Sequence, residues 1–219
     1  KEADALETIR QIEAVGGKAK FWPLNVSKEA EVEATFADVA RTFGKIDILI
    51  NNAGITGADK STHEATEAEW DAVFAVDVKG VFFCTKHVIP YMRTLGKGSI
   101  VNVSSIYGLI GSKGDLSPYH AAKGAVTLMT RQDAVTPQSL LIGRRIGQDK
   151  GFGCSQHRSA NLHLGEGLPG DLGGGAAAVL VGGVGAGVVL FGDADGSEAE
   201  VAAGVDDGAA GTLQLGGVE

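Results

Sequence analysis

Cysteine is nearly absent: Cys84 and Cys154 are the only two among 219 residues. A pair so far apart gives neither a disulfide framework nor metal-site spacing, which fits a reducing, cytoplasmic setting. Long apolar runs are missing as well. No stretch approaches the ~18 unbroken apolar residues of a membrane span. Basic residues are in deficit, 19 Lys and Arg against 27 Asp and Glu for a formal net charge of -8. That balance argues against nucleic acid or an acidic membrane surface as partner. No secretory signal and no initiator Met open the chain. Lys1-Glu2-Ala3-Asp4 is already polar and helical in pattern, so the true beginning is expected upstream. Aromatic residues are scarce after the middle: all three Tyr and both Trp precede residue 137, whereas 21 of the 33 Gly follow residue 136. The chain is therefore expected to divide into a patterned domain, 1–136, and a Gly/Ala-rich, irregular tail, 137–219.

What is present in the first part is regular alternation. Ala5, Leu6, Ile9 and Ile12 predict an amphipathic helix over 2–15, stopped by Gly16-Gly17. Phe21, Trp22, Leu24 and Val26 predict a strand, placed at an edge or bulge by Pro23. Ser27 is the expected cap of a helix carrying Val32, Phe36, Val39 and Phe43 on one stripe and closed by Gly44. Ile46-Asp47-Ile48-Leu49-Ile50 reads as a strand buried on both faces, emptying into Asn51-Asn52-Ala53-Gly54. Thr66 and Glu69 have capping-box spacing before one long helix through Trp70, Val73, Phe74, Val78, Val81 and Phe82 toward Met92. Ser99 to Val103 forms a further buried strand, releasing Ser104-Ser105. A last helix runs from Ser117 to about Val135.

The order helix, strand, helix, strand, helix, strand, helix predicts an α/β fold, a parallel sheet with helices on both faces. Ligands sit at the carboxyl ends of such strands, so Asn51-Asn52 and Ser104-Ser105 are expected on one rim. Ser117 caps and Pro118 opens the helix that leaves this rim. Tyr119 and Lys123 are four residues apart and lie one above the other on its surface. A phenol titrates near pH 10, and a fixed cation beside it favours the phenolate. His87 and His120 are expected on helix surfaces and Cys84 in the core. Asp77 is balanced between a surface carboxylate and a site residue.

These residues in this order resemble the short-chain dehydrogenase/reductase family. The resemblance rests on Asn51-Asn52-Ala53-Gly54, Val103-Ser104-Ser105 and Tyr119-xxx-Lys123, and covers residues 1 to about 135. It implies a partial Rossmann-like, doubly wound sheet and hydride transfer between NAD or NADP and an alcohol or ketone, with no metal. Tyr119 would move the proton, and Lys123 would lower the phenol pKa and bind the nicotinamide ribose. Ser105 would hold the substrate oxygen, with Ser104 as second choice. Asp77 stands where the family has an asparagine beside a helix distortion. Asn25, Val26, Asn51, Ala53 and Gly54 would lie along the cofactor, Asn25-Val26 beside the adenine. Gly124-Ala125-Val126 and Lys86-His87-Val88-Ile89-Pro90 look like members acting on secondary or cyclic alcohols. A homodimer or homotetramer of the full-length parent is expected, pairing through residues 70–92 and 119–135.

The resemblance also implies parts that this chain does not display. The family's TGxxxGxG phosphate-binding turn is expected upstream of residue 1. After Val135 the family pattern stops. Arg144-Arg145, Gln156-His157-Arg158 and the run from Gly173 to Gly192 match nothing in it, and Leu168-Pro169-Gly170 lacks the right flanks. Out-of-frame reading of GC-rich DNA would give such a tail, and resequencing through codon 136 tests that. The family sheet order is 3-2-1-4-5-6-7, of which residues 1–136 supply strands 3, 4 and 5. A continuous sheet is therefore not expected unless Val179-Leu180-Val181 and Val188 to Phe191 lend replacement strands, against which their glycine density speaks. Two readings follow: an incomplete record of an NAD(P)-dependent enzyme, or a non-catalytic fragment or interaction module.

Overall fold

The computed structural model describes residues 2–14, 16–135, 144–145, 159–164, 177–181, 187–192, 201–203 and 211–213. Cys154, Gln156-His157-Arg158 and Leu168-Pro169-Gly170 lie outside them.

Helix α1, Glu2–Ala14, ends where expected: Gly16 takes φ 89°, and the Gly17 N–H donates to Ile12 O. Ala5 is buried and Ile9 and Ile12 half-buried, but Leu6 is 52% exposed. One residue of helix turns about 100°, so Leu6 cannot share the Ala5-Ile9-Ile12 stripe. Strand β1, Lys18–Pro23, is the outermost strand at one edge of the sheet, where a proline is tolerated. Helix α2, Glu29–Phe43, buries Val32, Phe36 and Val39 completely and closes at Gly44 with φ 77°. Its cap residue is Lys28 rather than Ser27. Ser27 is held one residue earlier, donating from both its backbone N–H and its hydroxyl to Asn25 Oδ1, an Asx turn that competes with capping.

Strand β2, Ile48–Asn51, and strand β3, Gly98–Val103, are parallel, with Leu49 opposite Ile100 and Asn51 opposite Asn102. Between them the expected long helix is broken into three pieces. Helix α3, Glu67–Phe74, passes into a π-helical turn, Ala75–Gly80, before α4, Val81–Leu95. Such a turn inserts an extra residue per ring and is frequently found at functional sites. A single 3₁₀ turn, Ile106–Gly108, leads to helix α5, Ser117–Val135.

The Thr66 capping box is formed as spacing predicts, with the Glu69 carboxylate accepting from Thr66 N–H and, at 2.6 Å, from the Lys60 ammonium. These bonds, Lys60 foremost, hold the Glu69 carboxyl down at about 2 against an ordinary 4.5. A depressed carboxyl stabilises the fold above its unfolded pKa and loses that contribution as pH falls toward the folded one. The melting-temperature gap between wild type and Glu69→Gln is therefore expected to narrow between pH 4.5 and about 2. A gap constant with pH would refute the assignment.

The tail contributes strands where irregular structure was expected: β4 Arg144–Arg145, β5 Ser159–Leu164, β6 Ala177–Val181, β7 Gly187–Gly192, β8 Val201–Ala203 and β9 Gly211–Leu213. The first four complete a seven-stranded sheet in the order β1-β7-β6-β2-β3-β5-β4, while β8 and β9 pair separately. β6 and β7 thus fill the gap between β1 and β2, correcting the expectation that no continuous sheet forms. Their glycines do not prevent this because β6 contains none and Gly187 and Gly192 sit at the ends of β7. Only the centre of the sheet, β6-β2-β3, is parallel; β7 and β5 run antiparallel to their neighbours. Five residues separate β6 from β7, too few for the crossover of a dozen or more that a parallel pair needs.

The core lies where α2 and α4 pack together: Val32, Phe36, Val39, Cys84, Val88 and Met92 enclose Leu49 and Ile100, with Val179 and Val181 of β6. α1 lies on β1 and β7, and α5 lies on β3 and β5. This leaves the ends of β2 and β3, the π turn and the start of α5 facing one another.

Candidate functional site

Asn51 continues the face of β2 that Leu49 buries, because side chains two apart share a face. Its amide therefore turns inward, 3% exposed, and donates to Asn102 Oδ1 at 2.8 Å and Thr85 Oγ1 at 3.4 Å. Asn102 in turn donates to Thr130 Oγ1 at 2.8 Å. This buried chain ties β2 to β3, α4 and α5. Asn102 and Thr130 escaped the sequence reading, although an asparagine inside the apolar run Ser99 to Val103 was the signal. The Asn52 N–H donates to Val181 O, fastening the turn to β6.

Beyond Asn51 the chain passes very close to two charged side chains. A Cβ on Gly54 would lie 2.9 Å from Asp77 Oδ2 and 3.1 Å from Lys123 Nζ, so only glycine fits without displacing them. Ile55 N–H donates to Asp77 Oδ1 at 2.8 Å. Asp77 Oδ2 makes no aligned hydrogen bond and faces the Lys123 ammonium at 3.2 Å. The ammonium also donates to Val103 O at 3.1 Å. The two side chains are 0% and 5% exposed, which excludes the surface reading of Asp77. Burial pushes the Asp77 carboxyl up from its ordinary value, opposed by the Lys123 charge and the Ile55 N–H. The π turn makes this contact possible by bringing Asp77 inward between two α-helical segments.

Tyr119 is half-buried one helical turn from Lys123, whose Nζ lies 5.4 Å from the phenol ring centre. Tyr107 meets Tyr119 edge-on at 6.3 Å and stacks on His120 at 4.6 Å. His120 is thus a packed, half-buried residue, with Nδ1 2.8 Å from Leu116 O, not the surface residue expected. The two serines take different roles. Ser104 Oγ donates to Lys123 O and lies 2.8 Å from Thr127 Oγ1, clamping β3 to α5. Ser105 Oγ accepts from Tyr107 N–H at 3.2 Å and keeps its own proton for another acceptor. Gly108 sets the 3₁₀ turn directly on α5, since a Cβ there would be 2.7 Å from the Lys123 carbonyl.

Asp77, Lys123 and Gly54 are in mutual contact, and Ser105, Tyr107 and Tyr119 adjoin them through α5 and the 3₁₀ turn. Asn25 is outside this set, exposed on the turn after β1 with Oδ1 shared by Ser27. Val26 is buried against Gly80, where a Cβ would be 2.7 Å from Val26 Cγ2. The Cys84 thiol, 1% exposed, is pushed up to about 12 by burial and is chemically inert.

Comparison with known proteins gives a consistent result. Residues 1–138 match the family described as short chain dehydrogenase. A cyclopentanol dehydrogenase of Comamonas sp. (strain NCIMB 9872) is 41% identical over 129 residues, 59% of this chain and 51% of that protein. A solved 3-ketoacyl-ACP reductase from Sinorhizobium meliloti 1021 superposes with a TM-score of 0.60 at 31% identity, over 62% of this chain and 53% of that one. An NAD+-bound xylitol dehydrogenase superposes with a TM-score of 0.51 at 34% identity, over 53% of this chain and 44% of that one. The chain spans about half the length of the curated relatives it matches. With the Asn51 turn, the Ser105 strand end and the Tyr119-Lys123 pair assembled in one place, the chain belongs to the short chain dehydrogenase family.

Proposed function

We propose that this chain carries the proton-transfer site of an NAD(P)-dependent oxidoreductase interconverting a secondary, in one version cyclic, alcohol and its ketone. The observation that carries the reading is the buried Lys123 ammonium one helical turn from Tyr119, its Nζ 5.4 Å from the phenol ring centre. Tyr119 gives its phenolic proton to the carbonyl oxygen in reduction and recovers it from the hydroxyl in oxidation. Lys123 stabilises the phenolate between those events, and Ser105 donates its free proton to the same substrate oxygen. Asn51 acts at one remove, holding β2, β3 and α5 in register. The cyclopentanol dehydrogenase supports the cyclic alcohol.

The residues present fit the nicotinamide end of a dinucleotide. Gly54 lets the turn close onto Asp77 and Lys123, which a Cβ would meet, and the Lys123 ammonium donates one proton to Val103 O while facing Asp77 Oδ2 at 3.2 Å, so it has donor capacity left for a ribose hydroxyl. When bound, the nicotinamide supplies or accepts the hydride. Ala53 and Gly54 would allow close approach, and Val26 would flank the adenine. Asn25, its carbonyl oxygen engaged by Ser27, would offer its exposed amide. NAD and NADP both satisfy this set. A cytoplasmic location and pairing of subunits through α4 and α5, where Phe82 and Leu128 are 48% and 65% exposed, complete the reading.

Titration of the chain with NADH and with NADPH, followed by fluorescence and melting temperature, tests it. Saturable stabilisation by one of them is expected. No shift at millimolar cofactor would assign this chain to the non-catalytic alternative.

A further inference from the structure

We infer that Asp77 is a positioning residue that compensates the charge of Lys123 and clamps the Gly54-Ile55 turn, so that Tyr119 works beside a neutral ion pair rather than a bare cation. This deepens the proton-transfer reading and rests on it for its catalytic meaning, though not for its physical content. The carboxylate spends Oδ1 on Ile55 N–H at 2.8 Å and turns Oδ2 to the ammonium at 3.2 Å, in a place with 0% exposure for Asp77. Water cannot screen the pair there, so the charge state of each member is felt by the phenol. An amide at the same position would keep the bond to Ile55 N–H but not the charge.

The groups in contact with Lys123, with the Tyr119 ring, or with Tyr107, which packs on that ring, come from four elements. α5 contributes Lys123 and His120, the 3₁₀ turn Tyr107, the π turn Asp77, and the end of β3 the Ser105 hydroxyl and Val103 carbonyl. Among these, Asp77 is the one anion within reach of the Lys123 ammonium. Its removal must increase the net positive potential at Tyr119 and favour the phenolate.

The phenolate absorbance of the whole chain, titrated with pH and assigned by subtracting Tyr119→Phe, reads this without cofactor or turnover. Failure of cofactor binding and failure of this inference are therefore separable. Asp77→Asn is expected to lower the Tyr119 midpoint by about one pH unit. Lys123→Met is expected to raise it, and the double variant Asp77→Asn/Lys123→Met to lie clearly below Lys123→Met alone. The double variant carries no uncompensated buried charge, and where Asp77→Asn fails to fold its comparison with Lys123→Met, both titrated in sucrose-stabilised buffer to keep the latter folded at high pH, decides the matter. A midpoint unmoved by Asp77→Asn, or equal midpoints in the double variant and Lys123→Met, would overturn the inference.

Discussion

Tyr119→Phe is expected to cut ketone reduction by about 10²–10⁴-fold, or about 3–5 kcal/mol of barrier, with the fold intact. The substitution removes one oxygen and keeps the ring. The edge-on contact with Tyr107 at 6.3 Å and the position of Lys123 over the ring at 5.4 Å are both preserved. What is lost is the phenolic proton of a ring that lies 5.4 Å from a buried ammonium. Nicotinamide absorbance measures the rate, and the melting temperature, expected unchanged, separates a chemical loss from a structural one. Turnover within a few-fold of wild type would refute the proton-donor role. Since the chain spans about half the length of its relatives, the rate comparison belongs in a full-length protein in which wild-type turnover is measurable.

The largest stability effect is expected from Lys123→Met, a loss of about 3–5 kcal/mol at neutral pH. Methionine keeps most of the stem and its packing, so the cost arises from the charge. Asp77 is left 0% exposed without its counter-ion, and Val103 O loses a donor at 3.1 Å. Burial already pushes the Asp77 carboxyl up from its ordinary value, and without Lys123 nothing charged opposes that. The folded state then holds a proton that the unfolded state releases, so the variant regains stability as pH falls through the folded pKa and loses it as pH rises. Urea unfolding of wild type and variant at several pH values should show the gap closing toward acid. Adding Asp77→Asn should restore part of the loss at neutral pH, because two neutral side chains leave no unpaired charge. A loss below about 1 kcal/mol at neutral pH would mean that the ion pair carries little of the fold.

Both expectations depend on features that were unequally visible in the chain itself. The i, i+4 spacing of Tyr119 and Lys123 survives any packing because helix geometry sets it, and Gly16, Gly44 and the Thr66-Glu69 box end or begin helices by local backbone chemistry alone. Ile46 to Ile50 and Ser99 to Val103 were legible as buried strands for the same reason, each carrying its own apolar run, although the first begins at Ile48 and ends on Asn51. Asp77 was legible as a site residue only through the family resemblance; its own helical pattern left it balanced between surface and site. The same carboxylate in the same helical pattern would face solvent if the helix stayed α; the π turn rotates it inward, and that turn is stabilised by contacts with Ile55 and Lys123, 22 and 46 residues away.

Asn51 makes the complementary case. The polar turn it begins suggested a rim, but β2 ends on Asn51, on the face of Leu49, and its hydrogen bonds to Asn102 and Thr85 offset the cost of burying the amide. The sheet order lay furthest from reach, since β6 and β7 reach β1 and β2 through backbone hydrogen bonds between residues more than a hundred positions apart, and backbone groups carry no sequence signature. From its residues alone the chain determined the order of helices and strands through residue 135, which family it resembles and that a phenol and an ammonium share one helical face. The tertiary structure decided that the ammonium is paired, that Ser105 rather than Ser104 keeps a free proton and which strands close the sheet, because charge compensation, hydrogen-bond satisfaction and strand pairing are settled between distant segments rather than within one.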